Sequence, residues 1–405
     1  MIHEVRYALD FAALYQRGAR RDARWAGAYK DYLNGRARDA PLPRVVQLVP
    51  TEGCNLRCPM CNQWGENGYF LTGKRAPSSM PRRDILSFLE QFRARQNDFL
   101  LSVHGGEPFL YAHMDALIDH IARWRIDTSF STNGTRFEGF LDPLARINPH
   151  ALYLLSIDGG RRTNDRIRGE GTTETIIRGV KALGQACRER GTGRPKIIIN
   201  YCVNEHNPED VDEVLDIARE IGARFVNYNL RWFLPRHRGE AYDRYLCGIG
   251  VRPSGAWTGW VTDHSFEGIE TALDCVYSLA RSWSRRLLPP FVSILPRDLS
   301  RNQASRFYHD YDALFGIESC VMPSYWIRIH SNGDLIYCPG HPDIIPGNVF
   351  EDDFDSIYRG FLSRTLRERV ERDLLDICNR CCGLYMTYSA TRRLGDGWVP
   401  RREPT

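Results

Sequence analysis

From residue 45 onward, short apolar runs alternate with amphipathic stretches, and this rhythm constrains the fold more than any other feature of the chain. The runs 45–49, 99–103, 128–131, 152–157, 196–203 and 224–228 have the length and composition of strands. Between them, 82–96, 113–125, 173–190 and 209–221 carry apolar residues at helical spacing. Parallel strands need a crossover between them, usually a helix, so the alternation predicts βαβ units, a parallel sheet and an α/β fold. A chain of 405 residues exceeds what one core serves well, so a second domain is expected.

Chemistry-bearing residues sit where these runs end. After the first, Thr51-Glu-Gly-Cys-Asn-Leu-Arg-Cys-Pro-Met-Cys61 puts Cys54, Cys58 and Cys61 on one loop in C-x3-C-x2-C spacing. Three thiolates leave one iron of a [4Fe–4S] cube without a protein ligand, open to another molecule. A zinc site is the alternative, although zinc ordinarily takes four ligands in C-x2–4-C pairs. His104-Gly105-Gly106-Glu107-Pro108 follows the second run, Ser131-Thr132-Asn133-Gly134 the third and Ser156-Ile157-Asp158-Gly159 the fourth, with Arg168-Gly169 beyond. In parallel α/β folds, chemistry gathers at the carboxyl ends of the strands.

Together these motifs resemble the radical S-adenosylmethionine (SAM) superfamily. The resemblance implies a partial (β/α)6 TIM-type barrel over 45–230. It also implies a [4Fe–4S] cluster on Cys54, Cys58 and Cys61, with SAM chelating the open iron and being cleaved to a 5′-deoxyadenosyl radical. Gly105 and Gly106 would let the backbone approach the ligand, and Glu107 would bind the SAM amino group. Ser156 and Arg168 would hold its carboxylate, and Asn133 would belong to the same cofactor-binding rim. Met60 departs from the family, where an aromatic residue often precedes the third cysteine.

A second group of thiols follows: Cys320, Cys338 (after the hairpin signal Asn332-Gly333), then Cys378 and Cys381, with Cys382 adjacent. Four thiolates saturate a cube, and they also make a structural zinc site. The C-x17-C and C-x2-C arrangement resembles the auxiliary-cluster domain called SPASM, more closely its single-cluster twitch form. That implies a small α+β domain over 316–390 holding a second [4Fe–4S] cluster. C-x2-C spacing favours Cys381 over Cys382 as fourth ligand. Of the remaining thiols, Cys187 and Cys202 read as inert. Cys247 is the candidate catalytic thiol, because radical epimerases of this family return hydrogen from one.

Residues 231–315 interrupt the rhythm with aromatics and arginines and are expected to be an insertion or bridge. Arg231, Arg236, His237, Asp263 and His264 could bind or deprotonate substrate. Residues 391–405 read as a polar tail. Residues 1–44 carry nine Lys/Arg against five Asp/Glu. Interleaved acids make a solvated helix face the better reading than a nucleic-acid surface. Trp25, Ala28, Tyr29, Tyr32 and Leu33 form an apolar stripe on that helix.

No apolar stretch approaches the roughly 18–20 residues of a membrane span, and no secretory h-region opens the chain. Twelve cysteines without an export signal point to a reducing, cytoplasmic setting and metal ligation. The resulting expectation is a radical SAM oxidoreductase acting on a small biosynthetic intermediate. Its auxiliary cluster accepts an electron, and a flavodoxin- or ferredoxin-type donor supplies reductant. The alternative is a maturase or epimerase of a ribosomal peptide or protein. A zinc-stabilised binding protein is the remote reading from another class. The small-molecule preference rests on the short N-terminal extension.

Overall fold

The computed structural model describes residues 2–262, 266–283, 288–296, 299–381 and 383–384, without the side chains of 2–10 and 283. Strands β1 Val45–Leu48, β2 Leu100–Val103, β3 Thr128–Thr132, β4 Ala151–Ser156, β5 Ile197–Val203 and β6 Phe225–Leu230 fall on the six apolar runs. Each pairs in parallel with the next. The helices Arg82–Arg95, Met114–Trp124, Thr172–Arg190 and Val214–Ile221 connect them, together with two shorter helices, Leu141–Ile147 and Arg161–Arg168, that the apolar pattern did not mark.

The sheet extends beyond these six strands. β7 Phe291–Leu295 arises inside the aromatic-rich 231–315 segment and pairs in parallel with β6. β8 Trp326–Ile329, near the start of the second cysteine group, pairs in parallel with β1 on the opposite edge. β9 Asp334–Ile336 and β10 Gly347–Asn348 continue from β8 as antiparallel strands. One ten-stranded sheet results, in the order β10-β9-β8-β1-β2-β3-β4-β5-β6-β7. The C-terminal domain is thus hydrogen-bonded into the barrel sheet, which places its cysteines against the barrel.

Alternation along the strands separates two faces. Leu101 and Val103, Tyr153 and Leu155, and Ile197, Ile199, Tyr201 and Val203 are buried in one core with helix residues such as Phe92, Ile118, Ile176, Val180 and Leu183. Along β4 and β5 the intervening residues are only partly buried, and along β4–β7 several are polar. Ser156, Asn200, Asn227 and Ser293 stand in register across those four strands. Asn227 Nδ2 donates to Asn200 Oδ1 at 3.2 Å, and Ser293 donates to Asn227. A strand face that turns from apolar to hydrogen-bonding is built for something polar.

The N-terminal helix Ile2–Leu33 is docked through both of its faces. Trp25, Ala26 and Tyr29 are buried against Val321 and Tyr325, with Trp25 edge-on to Tyr325 at 5.0 Å; Ala28, predicted to join the stripe, is exposed. Three of its basic residues pair with carboxylates of the sheet. Arg17 and Arg21 converge on buried Asp127 at 3.0 and 2.7 Å, and Arg21 and Arg24 pair with Asp98. These carboxylates lie at the amino ends of β3 and β2, opposite the motif-bearing ends. The expected solvated face is therefore in good part a docking face.

His150, Arg17 and Arg21 hold the Asp127 carboxyl below its usual range, against the opposing effect of burial. A depressed acid contributes stability that is complete above its unfolded pKa near 3.9 and lost as pH falls through the folded value. Asp127→Ala is expected to cost about 2–3 kcal/mol at pH 7, the worth of lost hydrogen bonds to charged groups. Urea unfolding should show that deficit shrinking below pH 4; an undiminished deficit there would assign it to packing instead.

Candidate active site

The first cysteine loop is fastened from two sides by the motifs that follow β2 and β3. The Gly106 amide donates to Thr51 O at 3.2 Å and the Glu107 amide to Gly53 O at 2.8 Å. A Cβ on Gly106 would lie 2.2 Å from Gly53 O and 2.5 Å from Glu52 O, so only glycine permits this approach. On Gly105, where φ is +149°, a Cβ would meet Thr51 O at 2.2 Å. The paired glycines thus hold the cysteine loop itself, where sequence reasoning assigned them to the ligand. Asn133 does related work: its Nδ2 donates to Asn55 Oδ1 at 3.0 Å and its Oδ1 accepts from the Thr135 amide at 3.0 Å.

Glu107 is fully buried. Oε1 accepts from Thr132 Oγ1 at 2.7 Å and the Phe109 amide at 3.1 Å, while Oε2 accepts from the Asn133 amide at 2.7 Å. Burial pushes its carboxyl up to about 7, against those hydrogen bonds. With some four acceptor positions on a carboxylate, about one remains for a ligand amine. Ser156 ends β4 on the partly buried face.

Arg168 is no surface residue. Its side chain is 11% exposed, pairs with wholly buried Asp158 and places Nη1 3.8 Å from Cys58 Sγ. Its Nε is buried without a hydrogen-bond partner. Asp158 also accepts from the Cys202 amide at 2.7 Å, which links β5 to this corner. The SIDG aspartate therefore orients the arginine, a role the sequence reading did not assign.

The donor set fits an iron–sulfur cluster. The Cys54 sulfur accepts from the Leu56 amide and the Cys61 sulfur from the Trp64 amide, both at 3.4 Å; Cys58 faces a guanidinium. Burial pushes the Cys54 thiol up to about 11, and a bound metal would offset that cost by displacing the proton. The second group repeats the pattern. Cys320, Cys338, Cys378 and Cys381 are all buried. Cys320 accepts from the Met322 amide and Cys338 from the Gly340 amide, both at 3.3 Å. Cys378 lies 3.5 Å from His341 Nε2. Burial pushes the Cys378 thiol well up, and its neighbours Cys320 and Cys381 add to the rise. Cys382 lies outside the described residues. Among the described residues, no three His, Cys, Asp or Glu side chains close on a point as they would around a single ion; a cube spaces its cysteines more widely.

A stacked tryptophan pair stands beside the second cysteine group, and the glycine that precedes Trp260 packs against the first cysteine loop. Trp232 and Trp260 stack with ring centroids 4.4 Å apart. A Cβ on Gly259 would lie 2.2 Å from Asn62 O, beside Cys61, and one on Gly340 would meet the Trp232 ring at 3.1 Å and Cys338 Sγ at 3.5 Å. Aromatic density at 231–260 hinted at this, but spacing could not show which rings meet.

Cys247 is not brought to the site: it is exposed near the end of the helix Arg236–Gly248, whose buried side presents Tyr242 and Leu246. Helical phase decides this, since 242 and 246 share a face that 247 leaves. Cys202, read as inert, instead lies on the partly buried polar face of β5, and burial pushes its thiol up to about 12. Arg231 is buried against Glu205. Asp263 and His264 lie outside the described residues.

Residues 48–218 match the sequence model of the radical SAM superfamily, and residues 320–382 that of SPASM, an iron–sulfur cluster-binding domain. The chain is 25% identical over 353 residues to the mycofactocin maturase MftC of Mycobacterium tuberculosis, covering 85% of this chain and 77% of the relative. It is 23% identical over 347 residues to an AdoMet-dependent heme synthase of Methanosarcina barkeri, covering 81% and 86%. Streptococcus suis SuiB bound to S-adenosylmethionine superposes with a TM-score of 0.59 at 18% identity, over 87% of this chain and 76% of that one. Native anSMEcpe with bound AdoMet superposes with a TM-score of 0.56 at 13% identity, over 87% and 96%. Motif geometry and matched domains agree: the chain carries a radical SAM domain followed by a C-terminal SPASM domain, and the cofactors of these domains are SAM, a [4Fe–4S] cluster and auxiliary iron–sulfur ligation.

Proposed function

We propose that the enzyme oxidatively modifies a peptide, with Cys54, Cys58 and Cys61 holding the SAM-binding cluster and Cys320, Cys338, Cys378 and Cys381 holding one auxiliary [4Fe–4S] cluster. When bound, SAM and the first cluster supply a hydrogen-abstracting 5′-deoxyadenosyl radical, and the second cluster supplies a sink for the electron left on the substrate. A flavodoxin- or ferredoxin-type protein is the proposed donor.

The observation that carries the peptide reading is the similarity to a maturase along 85% of the chain. The ladder Ser156, Asn200, Asn227 and Ser293 supports it, because carboxamides and hydroxyls satisfy backbone amides that would be costly to bury unpaired. Arg168 and Asp158 would fix the SAM carboxylate beside Cys58, and the tryptophan pair would exclude water between the clusters. The small-molecule preference loses its basis, because residues 2–33 form a helix docked on the sheet and their length says nothing about peptide capture. The heme synthase relative still favours a small-molecule reading, with a tetrapyrrole as substrate.

The test incubates reconstituted enzyme, SAM and reductant separately with short peptides encoded beside its gene and with an iron porphyrin. The expected result is 5′-deoxyadenosine together with a peptide two hydrogens lighter. Product from the porphyrin alone would reverse the assignment.

A further inference from the structure

We infer that His341 is a hydrogen-bond donor to the auxiliary cluster's Cys378 thiolate and sets that cluster's reduction potential. The inference rests on the four-cysteine reading above.

The imidazole is 2% exposed, with Nε2 3.5 Å from Cys378 Sγ, while Nδ1 is buried without a hydrogen-bond partner. Two features fix the ring. Its own amide donates to Cys338 O at 3.0 Å, and the buried Tyr242 ring lies across it at 5.4 Å. Among the described residues His341 makes no ion pair, and the Cys378 sulfur is the acceptor its ring meets. Tautomers follow the partner: a proton on Nε2 serves the thiolate, and one on Nδ1 would serve nothing. Cys320 and Cys338 each take the backbone amide two residues further on, whereas Cys378 takes a side chain.

The physical consequence has a sign. Reduction adds negative charge to the cluster, and an N–H aimed at a ligating sulfur stabilises the more negative state more than the oxidised one. Hydrogen bonds to sulfur are among the determinants of cluster potential, and partners behind the ligands tune a metal site generally. His341 therefore raises the midpoint of the auxiliary cluster and makes it a better acceptor. It is a positioning and tuning residue; nothing places it against substrate.

The experiment is an EPR-monitored redox titration of the reconstituted full-length enzyme beside His341→Gln, which keeps an N–H donor, and His341→Leu, which has none. Added SAM perturbs only the first cluster's signal and so separates the two. Iron is counted first: about four per chain in wild type instead of about eight would end the cluster reading itself before any variant is compared. With full iron, the expected result is a more negative auxiliary midpoint in His341→Leu and a near-wild-type midpoint in His341→Gln. Equal midpoints in all three proteins overturn the inference. Loss of about four irons in both variants also overturns it, because His341 would then be a ligand. Should His341→Leu fail to fold, wild type labelled with 15N-histidine decides by pulsed EPR. A weak 15N coupling to the reduced auxiliary cluster supports the hydrogen bond; none, or one of directly ligated size, refutes it.

Discussion

Alanine at Cys54, Cys58 and Cys61 together is expected to lower the iron content from about eight to about four per chain after anaerobic reconstitution, by the four irons of each cube. SAM cleavage should vanish, and the remaining four irons should keep the spectrum of a fully ligated cluster. The reasoning is spatial as well as chemical. The two thiol groups arise from opposite parts of the chain, and each has its own N–H donors: Leu56, Trp64 and Arg168 for the first, Met322, Gly340 and His341 for the second. Nothing in the second set is removed by the substitution. A fall from about four irons to none would show that the C-terminal cysteines hold zinc or no metal. The electron-sink mechanism would go with it, and redox-neutral chemistry such as epimerisation would take its place.

Gly106→Ala should be nearly as damaging without removing any ligand. The added methyl would need to displace Gly53 O from 2.2 Å and Glu52 O from 2.5 Å, and both are backbone atoms that no rotamer change can move. The next amide, that of Glu107, is held to Gly53 O at 2.8 Å, so the loop must peel away as a unit. Overpacking of this kind costs about 3 kcal/mol, at the upper end of the usual range. It falls on the segment leading into Cys54. The expected phenotype is loss of the first cluster's iron and of SAM cleavage while the auxiliary cluster survives. Wild-type iron and cleavage in Gly106→Ala would show that the cysteine loop is not fastened through Gly106.

Much of the site was legible because its residues are local in sequence. Cys54, Cys58 and Cys61 occupy one turn, Glu107 follows its strand directly, and strand length and helical spacing mark β1–β6 without tertiary information. What escaped reading depends on long-range pairing. β7 looked like part of an irregular segment because Phe291–Leu295 acquires its meaning only beside β6. Arg168 was marked by its motif, but its pairing with Asp158, ten residues back in sequence, became visible only in the fold. Cys247 drew attention as a thiol that could return hydrogen, and helical phase turned it to solvent. The basic N-terminus suggested a charged surface until Asp127 and Asp98 were found beneath it.

The sequence by itself determined the chemistry: three thiols that leave one iron open, four more that can close a second cube, and a parallel α/β frame whose strands end at those motifs. Those are matters of residue type and short spacing, which the chain carries before it folds. Only the tertiary structure decided which atoms meet: that β8 joins the barrel sheet, that Trp232 stacks on Trp260, and that an imidazole rather than an amide faces Cys378. Contacts between residues tens to hundreds of positions apart carry no periodic signal, because they are selected by how whole elements pack and not by the local preferences of the chain.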